Sequence, residues 1–161
     1  MFKKNNWKMP IYKDDLLGVL FNGLLSSVLS GILAGLLDFL FGEILNFPLT
    51  IGLILMCYMI GYRMKRGYYT YHILYPVLSI LFMIIALFFS QFSYYVCIFG
   101  LNAFALLGQG SFYLNFILNP IYYLYICFKS FSFMYLLLGI LNIIIHIYAF
   151  VICYKIVKGR N

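Results

Sequence analysis

The chain has 161 residues, of which 65% are hydrophobic, 21% aromatic and only 9% charged. A soluble domain carries about a quarter charged residues, so this composition excludes a water-soluble protein and indicates an integral membrane protein. No Asp, Glu, Lys or Arg occurs between Gly67 and Phe128, which excludes a large soluble catalytic domain. We attribute the net charge of +7 to basic residues beside membrane spans, and we expect no nucleic-acid binding.

Hydrophobic runs divide the chain into a basic head (residues 1–15), a transmembrane bundle (16–154) and a basic tail (155–161). Turn-forming or charged residues split the bundle into six candidate transmembrane helices. They are Leu16–Phe41, Phe47–Tyr62, Thr70–Phe89, Tyr94–Leu107, Phe112–Phe128 and Phe133–Tyr154. The fourth is the shortest and covers about 21 Å of a hydrocarbon core that is about 30 Å thick. The sequence therefore predicts an all-α integral membrane protein with about six short transmembrane helices.

The distribution of positive charge predicts the orientation of this bundle. Cytoplasmic loops of membrane proteins carry an excess of Lys and Arg. Six crossings put the head, the tail and the cluster of Arg63, Lys65 and Arg66 in the cytoplasm, with Lys129 alone outside. If residues 94–128 crossed only once, the basic tail would lie outside. We therefore predict that both termini are cytoplasmic.

Small and polar residues form two neighbouring rows on one face of the first predicted helix. The rows are Gly23, Ser27, Gly31 and Gly35, and beside them Asn22, Ser26, Ser30, Ala34 and Asp38. Small residues let another backbone approach closely, and hydroxyl groups can bond across helices in lipid. The rows predict a tight helix–helix contact, one version of which is an interface with a different membrane protein. A polar, water-filled path is the alternative.

Four further polar residues are candidates for intramembrane roles. Asn142 and His146 are four residues apart on one face of the last helix. Interhelical hydrogen bonding, with Asn102 as a partner, is the simpler interpretation, and a ligand pocket or proton-handling site is the alternative. Asp38 is about 14 Å from the middle of the first helix, so we expect it near the outer interface, in a cap or turn.

No pattern in the sequence indicates catalysis, a metal or a cofactor. The four cysteines occur singly along hydrophobic segments, without CxxC, and the two histidines lack HExxH spacing. Gly108–Ser111 is too short for a phosphate loop and predicts a turn. We therefore expect a non-enzymatic protein.

Two stretches resemble a family of small bacterial membrane proteins. Gly31-Ile-Leu-Ala-Gly35-Leu-Leu-Asp38, followed by Gly61-Tyr62-Arg63 and a basic loop, resembles the pattern of the rod-shape-determining MreD family. The last helix, with Asn142 and a Lys/Arg tail, is similar to the closing helix of that family. The resemblance implies a scaffold in the bacterial inner membrane that docks other components of the cell-wall elongation machinery and so acts in cell shape.

The six-helix plan also resembles the substrate-binding S-components of energy-coupling-factor vitamin transporters. That resemblance implies transport and a small-molecule pocket near Gly42–Phe47, Ser90–Ser93 and Lys129–Ser132. A pore or holin-like protein is a third alternative. We predict a subunit that assembles with other integral membrane proteins through the small-residue face of the first helix.

Overall fold

The structure is a computed structural model that describes residues 10–45, 51–118, 121 and 133–159. Within these residues every regular element is helical. Predictions for the head before residue 10, for the start of the second span, for most of residues 119–132 with Lys129, and for the last two residues of the tail lie outside the described residues.

The described chain contains six α-helices, one π-helical turn and one 3₁₀ turn. The α-helices are α1 (Lys13–Phe39), α2 (Ile51–Arg66), α3 (Leu74–Phe99), α4 (Ala103–Leu106), α5 (Gly110–Leu118) and α6 (Phe133–Lys158). A π-helical turn, Leu40–Ile44, extends α1, and a 3₁₀ turn, Gly100–Asn102, follows α3. Among the described residues, three stretches are long and apolar enough to cross a membrane: Lys13–Ile44, Leu74–Leu106 and Leu136–Lys158. The predicted helical class is confirmed in the described part of the chain.

Helix α1 packs against both α2 and α3. Near the start of α1, Gly18 lies against Gly67, just after the end of α2, whereas near its end Ala34 lies against Gly52 at the start of α2. The two helices are therefore antiparallel. Helix α3 runs parallel to α1, since α1 residues at increasing positions contact α3 residues at increasing positions.

Helix α6 packs on α2 and α3 and runs parallel to α2. A Cβ atom added at Gly61 would lie 3.0 Å from Ile156, and the Tyr68 hydroxyl donates to the Val157 carbonyl. These contacts put the end of α6 beside the end of α2. The start of α1, the end of α2, the start of α3 and the end of α6 therefore lie together at one end of the bundle.

We call this end the basic end, because it carries most of the described positive charge. Its cationic residues are Lys13, Arg63, Lys65, Arg66, Lys155 and Lys158. The opposite end, called the far end, contains Asp38 and Glu43. The Tyr94 hydroxyl donates to Glu43 there, at 2.5 Å.

The interior of the bundle is mainly apolar, and so is most of its outer surface. The buried core includes Val19, Leu53, Met56, Ile60, Met64, Tyr75, Phe82, Met83, Ala149 and Val157. On the outside of α1, Phe21 is 68% exposed and Leu24 55% exposed. Large contiguous apolar surfaces are rare on soluble proteins, so this outer surface is suited to lipid.

The predicted break at Ser90–Ser93 is wrong, because α3 continues through these residues to Phe99. Ser90 and Ser93 are buried, and the Ser93 hydroxyl donates to the Ile32 carbonyl of α1 at 3.2 Å. The serines are small contact residues within a helix and do not form a turn. The helix ends instead at Gly100, whose φ of +59° is favourable only for glycine.

This longer α3 changes the predicted fourth span. Residues 94–99 belong to α3, and only the short helix α4 follows before the turn near Gly108. The predicted Tyr94–Leu107 helix is therefore not a separate element. Helix boundaries elsewhere also move outward: α1 begins at Lys13 inside the predicted head, and α6 continues to Lys158 inside the predicted tail.

Aromatic side chains hold α4 and α5 against the last part of α3. The rings of Phe92 and Phe104 have centroids 5.3 Å apart. Phe112 of α5 is buried, and its ring lies 5.7 Å from those of both Phe88 and Tyr95. Segment 100–118 therefore turns back along α3 from the far end.

Candidate functional site

The first row of small residues on α1 faces α3. A Cβ atom added at Gly31 would lie 2.5 Å from the Ala86 carbonyl oxygen and 2.8 Å from the Phe89 Cβ atom. At Gly35 it would collide with the Ser90 carbonyl oxygen, and at Gly23 with the ring of Phe82. Glycine is required at Gly31 and Gly35 because the two backbones approach closely there, whereas at Gly23 the space is taken by the Phe82 side chain.

The second row faces α2. A Cβ atom added at Gly52 would lie 2.7 Å from the Ala34 Cβ atom and 2.9 Å from the Ala34 carbonyl oxygen. Ser26 and Ser30 in the same row are buried. Each of the two rows therefore accommodates one neighbouring helix of the same chain.

The hydroxyl groups on this face bond mainly to their own helix. Ser26 donates to the Asn22 carbonyl at 2.6 Å, and Ser27 donates to the Leu24 carbonyl at 2.8 Å. The Ser30 hydroxyl is buried and has no hydrogen-bond partner in the described part of the chain. Back-bonding of this kind satisfies the hydroxyl groups of Ser26 and Ser27 within α1, which suits a packing surface between helices.

These contacts are the tight helix–helix contact that the two rows predict, formed within the chain, whereas use of the face by a different subunit stays a prediction. All seven residues assigned to it are buried: Gly23, Ser26, Ser27, Ser30, Gly31, Ala34 and Gly35. Because α2 and α3 already cover them, another protein could reach them only by displacing one of these helices.

Asp38 lies where α1, α2 and α3 meet at the far end. Its carboxylate lies beside the Gly52 N–H in the first turn of α2 and beside the Ser90 hydroxyl. Its Oδ1 atom is buried without a hydrogen-bond partner in the described part of the chain. A carboxylate at a helix N-terminus interacts favourably with the unpaired N–H groups and the helix dipole. The cap or turn role of Asp38 stays a prediction.

Asn142 and His146 are both buried, whereas their predicted partner is not. His146 Nδ1 lies 2.9 Å from the Asn142 carbonyl oxygen of the same helix. Asn102 is exposed in the 3₁₀ turn after α3. Asn102 therefore does not lie inside a spanning helix, as the predicted contact with Asn142 assumes, and that contact stays a prediction.

Asp15, which sequence analysis did not single out, organises the basic end. It is buried and accepts hydrogen bonds from the backbone N–H groups of Tyr69, at 3.2 Å, and of Thr70, at 3.0 Å. The Thr70 hydroxyl also donates to it. These hydrogen bonds therefore connect the loop between α2 and α3 to Asp15 in the first turn of α1. The one sequence signal for it is an acidic pair, Asp14 and Asp15, at a helix start.

Two tyrosines, Tyr68 and Tyr71, lie in the same loop at the basic end. The hydroxyl of Tyr68 joins the same loop to the last turn of α6 through Val157. Burial raises the pKa of Tyr68 to about 12, so its hydroxyl remains a donor at neutral pH. Burial also raises the pKa of Tyr71. The loop between α2 and α3 therefore connects α1 and α6 at the basic end.

The basic cluster that predicts the orientation of the bundle lies at the end of α2, where Arg63, Lys65 and Arg66 are exposed. The rings of Tyr58 and Tyr62 stack on the same helix, with centroids 6.1 Å apart and an interplanar angle of 17°. The exposed side of α2 thus changes from aromatic to cationic over two helical turns.

No family model matches the chain, and neither a curated protein nor a solved structure matches it. Among residues 10–45, 51–118, 121 and 133–159, no group of three or more His, Cys, Asp or Glu side chains could hold a metal ion.

Proposed function

We propose that this protein is a non-enzymatic subunit of the membrane that assembles with other integral membrane proteins. Its resemblance to the MreD family extends the proposal to a scaffold of the cell-wall elongation machinery in the bacterial inner membrane. The observation that supports a scaffold best is the use of the polar and small residues of α1. They bring three helices together and leave outer faces that are mainly apolar between the two ends of the bundle.

A partner would contact one of these outer faces, since the small-residue face of α1 is occupied by α2 and α3. The transporter alternative has less support, because one of its three pocket loops, Ser90–Ser93, is helical and buried against α1. The pore alternative requires a polar stripe, whereas Ser26 and Ser27 bond to their own helix.

We further propose four crossings, formed by α1, α2, α3 and α6, with both termini in the cytoplasm. Helix α3 ends at the far end and α6 begins there, so residues 100–132 add either two crossings or none. Helix α4 has only four residues, too few for a crossing, so we propose that this segment adds none. The basic end then faces the cytoplasm, as the positive-inside rule requires.

Labelling of Gln109 distinguishes four crossings from six. Gln109 is exposed in the turn between α4 and α5. In a variant whose native cysteines are replaced by Ala, Gln109→Cys is expected to react with a membrane-impermeant maleimide on intact cells. Six crossings would place this turn in the cytoplasm, where labelling needs permeabilised cells. Lys65→Cys, at the basic end, is the control that should react only after permeabilisation.

Site-specific photo-crosslinking in native membranes tests the scaffold. A photoreactive amino acid replaces one exposed residue on each crossing helix: Leu29, Ile54, Ile84 or Ile144. We expect a discrete adduct with one membrane protein from one or two adjacent faces. Met83, which is fully buried, is the control and should give no adduct.

Crosslinking to lipid alone from all four faces would contradict the scaffold. An adduct whose yield does not depend on the helix face would also count against a specific interface. Identification of the crosslinked protein by mass spectrometry then separates the cell-wall machinery from the ATPase module of a transporter.

A further inference from the structure

The exposed side of α2 near the basic end forms a groove that no proposed role of the protein explains. It has a volume of about 310 Å³ and is lined by Tyr58, Met59, Tyr62, Arg63 and Arg66. These residues are spaced so that they share one side of the helix. Tyr58 is 43% exposed and Tyr62 54% exposed, and both arginines are exposed. The groove therefore opens to the surroundings of the bundle.

The positive charge of the two arginines in the groove is not paired within the described part of the chain. There, the side chain of neither Arg63 nor Arg66 forms an ion pair or a hydrogen bond. The two carboxylates at this end belong to α1, and Asp15 is already engaged with the backbone of Tyr69 and Thr70. Charge complementarity therefore favours an anionic ligand at the groove.

The depth of the groove in the membrane indicates the kind of anion. The apolar part of α2 ends at Tyr62, and the cationic cluster follows directly. Tyrosine favours the interface between hydrocarbon and headgroups, and arginine binds phosphate oxygens with two parallel N–H bonds. The aromatic and apolar part of the groove therefore matches an acyl chain of a lipid. Its cationic part, nearer the basic end, matches the lipid phosphate.

We propose that this groove binds the headgroup of an anionic phospholipid, with Arg63 and Arg66 holding the phosphate and the stacked Tyr58 and Tyr62 rings contacting the glycerol and upper acyl chain. The site lies in the leaflet at the basic end. Because it opens sideways, a lipid reaches it from within the bilayer, and a water-soluble phosphate ester lacks the apolar contacts. The proposal does not depend on the scaffold function.

Native mass spectrometry with added phosphatidylglycerol and phosphatidylcholine tests the site. The wild type is expected to retain phosphatidylglycerol preferentially, and the double variant Arg63→Gln/Arg66→Gln to retain it about tenfold less. Lys155→Gln/Lys158→Gln removes the same charge from the same end of the bundle and is the matched control, with a loss below about threefold. Arg63→Lys/Arg66→Lys keeps the charge without the paired donors and should give an intermediate loss.

Three outcomes would overturn the proposal. Equal losses in the arginine and lysine double variants would show bulk electrostatic attraction without a site. Displacement of the lipid by millimolar glycerol 3-phosphate would show a site for free phosphate. A discrete protein adduct from a photoreactive residue at Tyr62 would show that the groove receives an acidic protein segment. Circular dichroism and gel filtration verify that each variant is folded, as expected for exposed arginines.

Discussion

Replacing Gly31 with Leu is expected to lower the melting temperature of the purified protein in detergent by about 10 °C or more. The Leu side chain would occupy the space of the Ala86 carbonyl oxygen and the Phe89 Cβ atom. Since Leu favours helix more than Gly does, any loss reflects the contact between helices and not helix propensity. Differential scanning fluorimetry, with gel filtration to detect aggregation, measures the effect.

Gly42→Leu is the matched control for this substitution. Gly42 follows on the same helix, and nothing lies within 4 Å of a Cβ atom added there. It should melt within a few degrees of the wild type. If Gly31→Leu melted at the wild-type temperature as well, the close contact between α1 and α3 would be disproved.

Replacing Asp15 with Ala is expected to release the loop between α2 and α3. The backbone N–H groups of Tyr69 and Thr70, and the Thr70 hydroxyl, would lose their shared acceptor. Trypsin cuts after Arg66, at the start of this loop, and its rate there should rise by about tenfold because local opening exposes the site. Mass spectrometry of the fragments over time measures that rate.

Asp14→Ala is the control, since Asp14 is the exposed neighbour of Asp15 with the same charge. It should leave the cleavage rate after Arg66 unchanged. Thr70→Val removes one donor and should give a smaller increase than Asp15→Ala. Equal rates for the two aspartate variants would show that the carboxylate of Asp15 does not hold the loop.

The sequence alone predicted much of the helical bundle, because lipid imposes simple rules on it. A spanning segment must be helical and apolar, and small residues mark the sides where backbones meet. Gly31 and Gly35 could therefore be assigned to a contact. Which helix they contact could not be predicted, since every predicted helix offered apolar side chains of similar size.

The boundary near Ser90 shows why local composition can mislead. Serine is common in turns, yet inside a membrane protein it is equally a small residue that permits close packing. The role of Ser90 depended on Gly35 of α1, against which the Ser90 carbonyl and the Ser93 side chain pack. Asp14 and Asp15 present the same problem, because only the position of Thr70 distinguishes them.

The predicted placement of Asn102 beside Asn142 depended on a helix boundary in the same way. It assumed that Asn102 lies inside a spanning helix. Since α3 extends to Phe99 and ends at Gly100, Asn102 falls in an exposed turn beyond it. A shift of one helix boundary therefore changed a buried polar residue into a surface one.

The arrangement of contacts around α1 also has a consequence for the order in which the protein assembles during synthesis. Helices α1, α2 and α3 are consecutive in the chain and pack on one another, so they can associate while the ribosome is still making α6. Helix α6 is made after them and docks on a surface that includes Gly61 and Tyr68. Until α6 is made, that surface has to be covered by lipid or by another protein of the membrane.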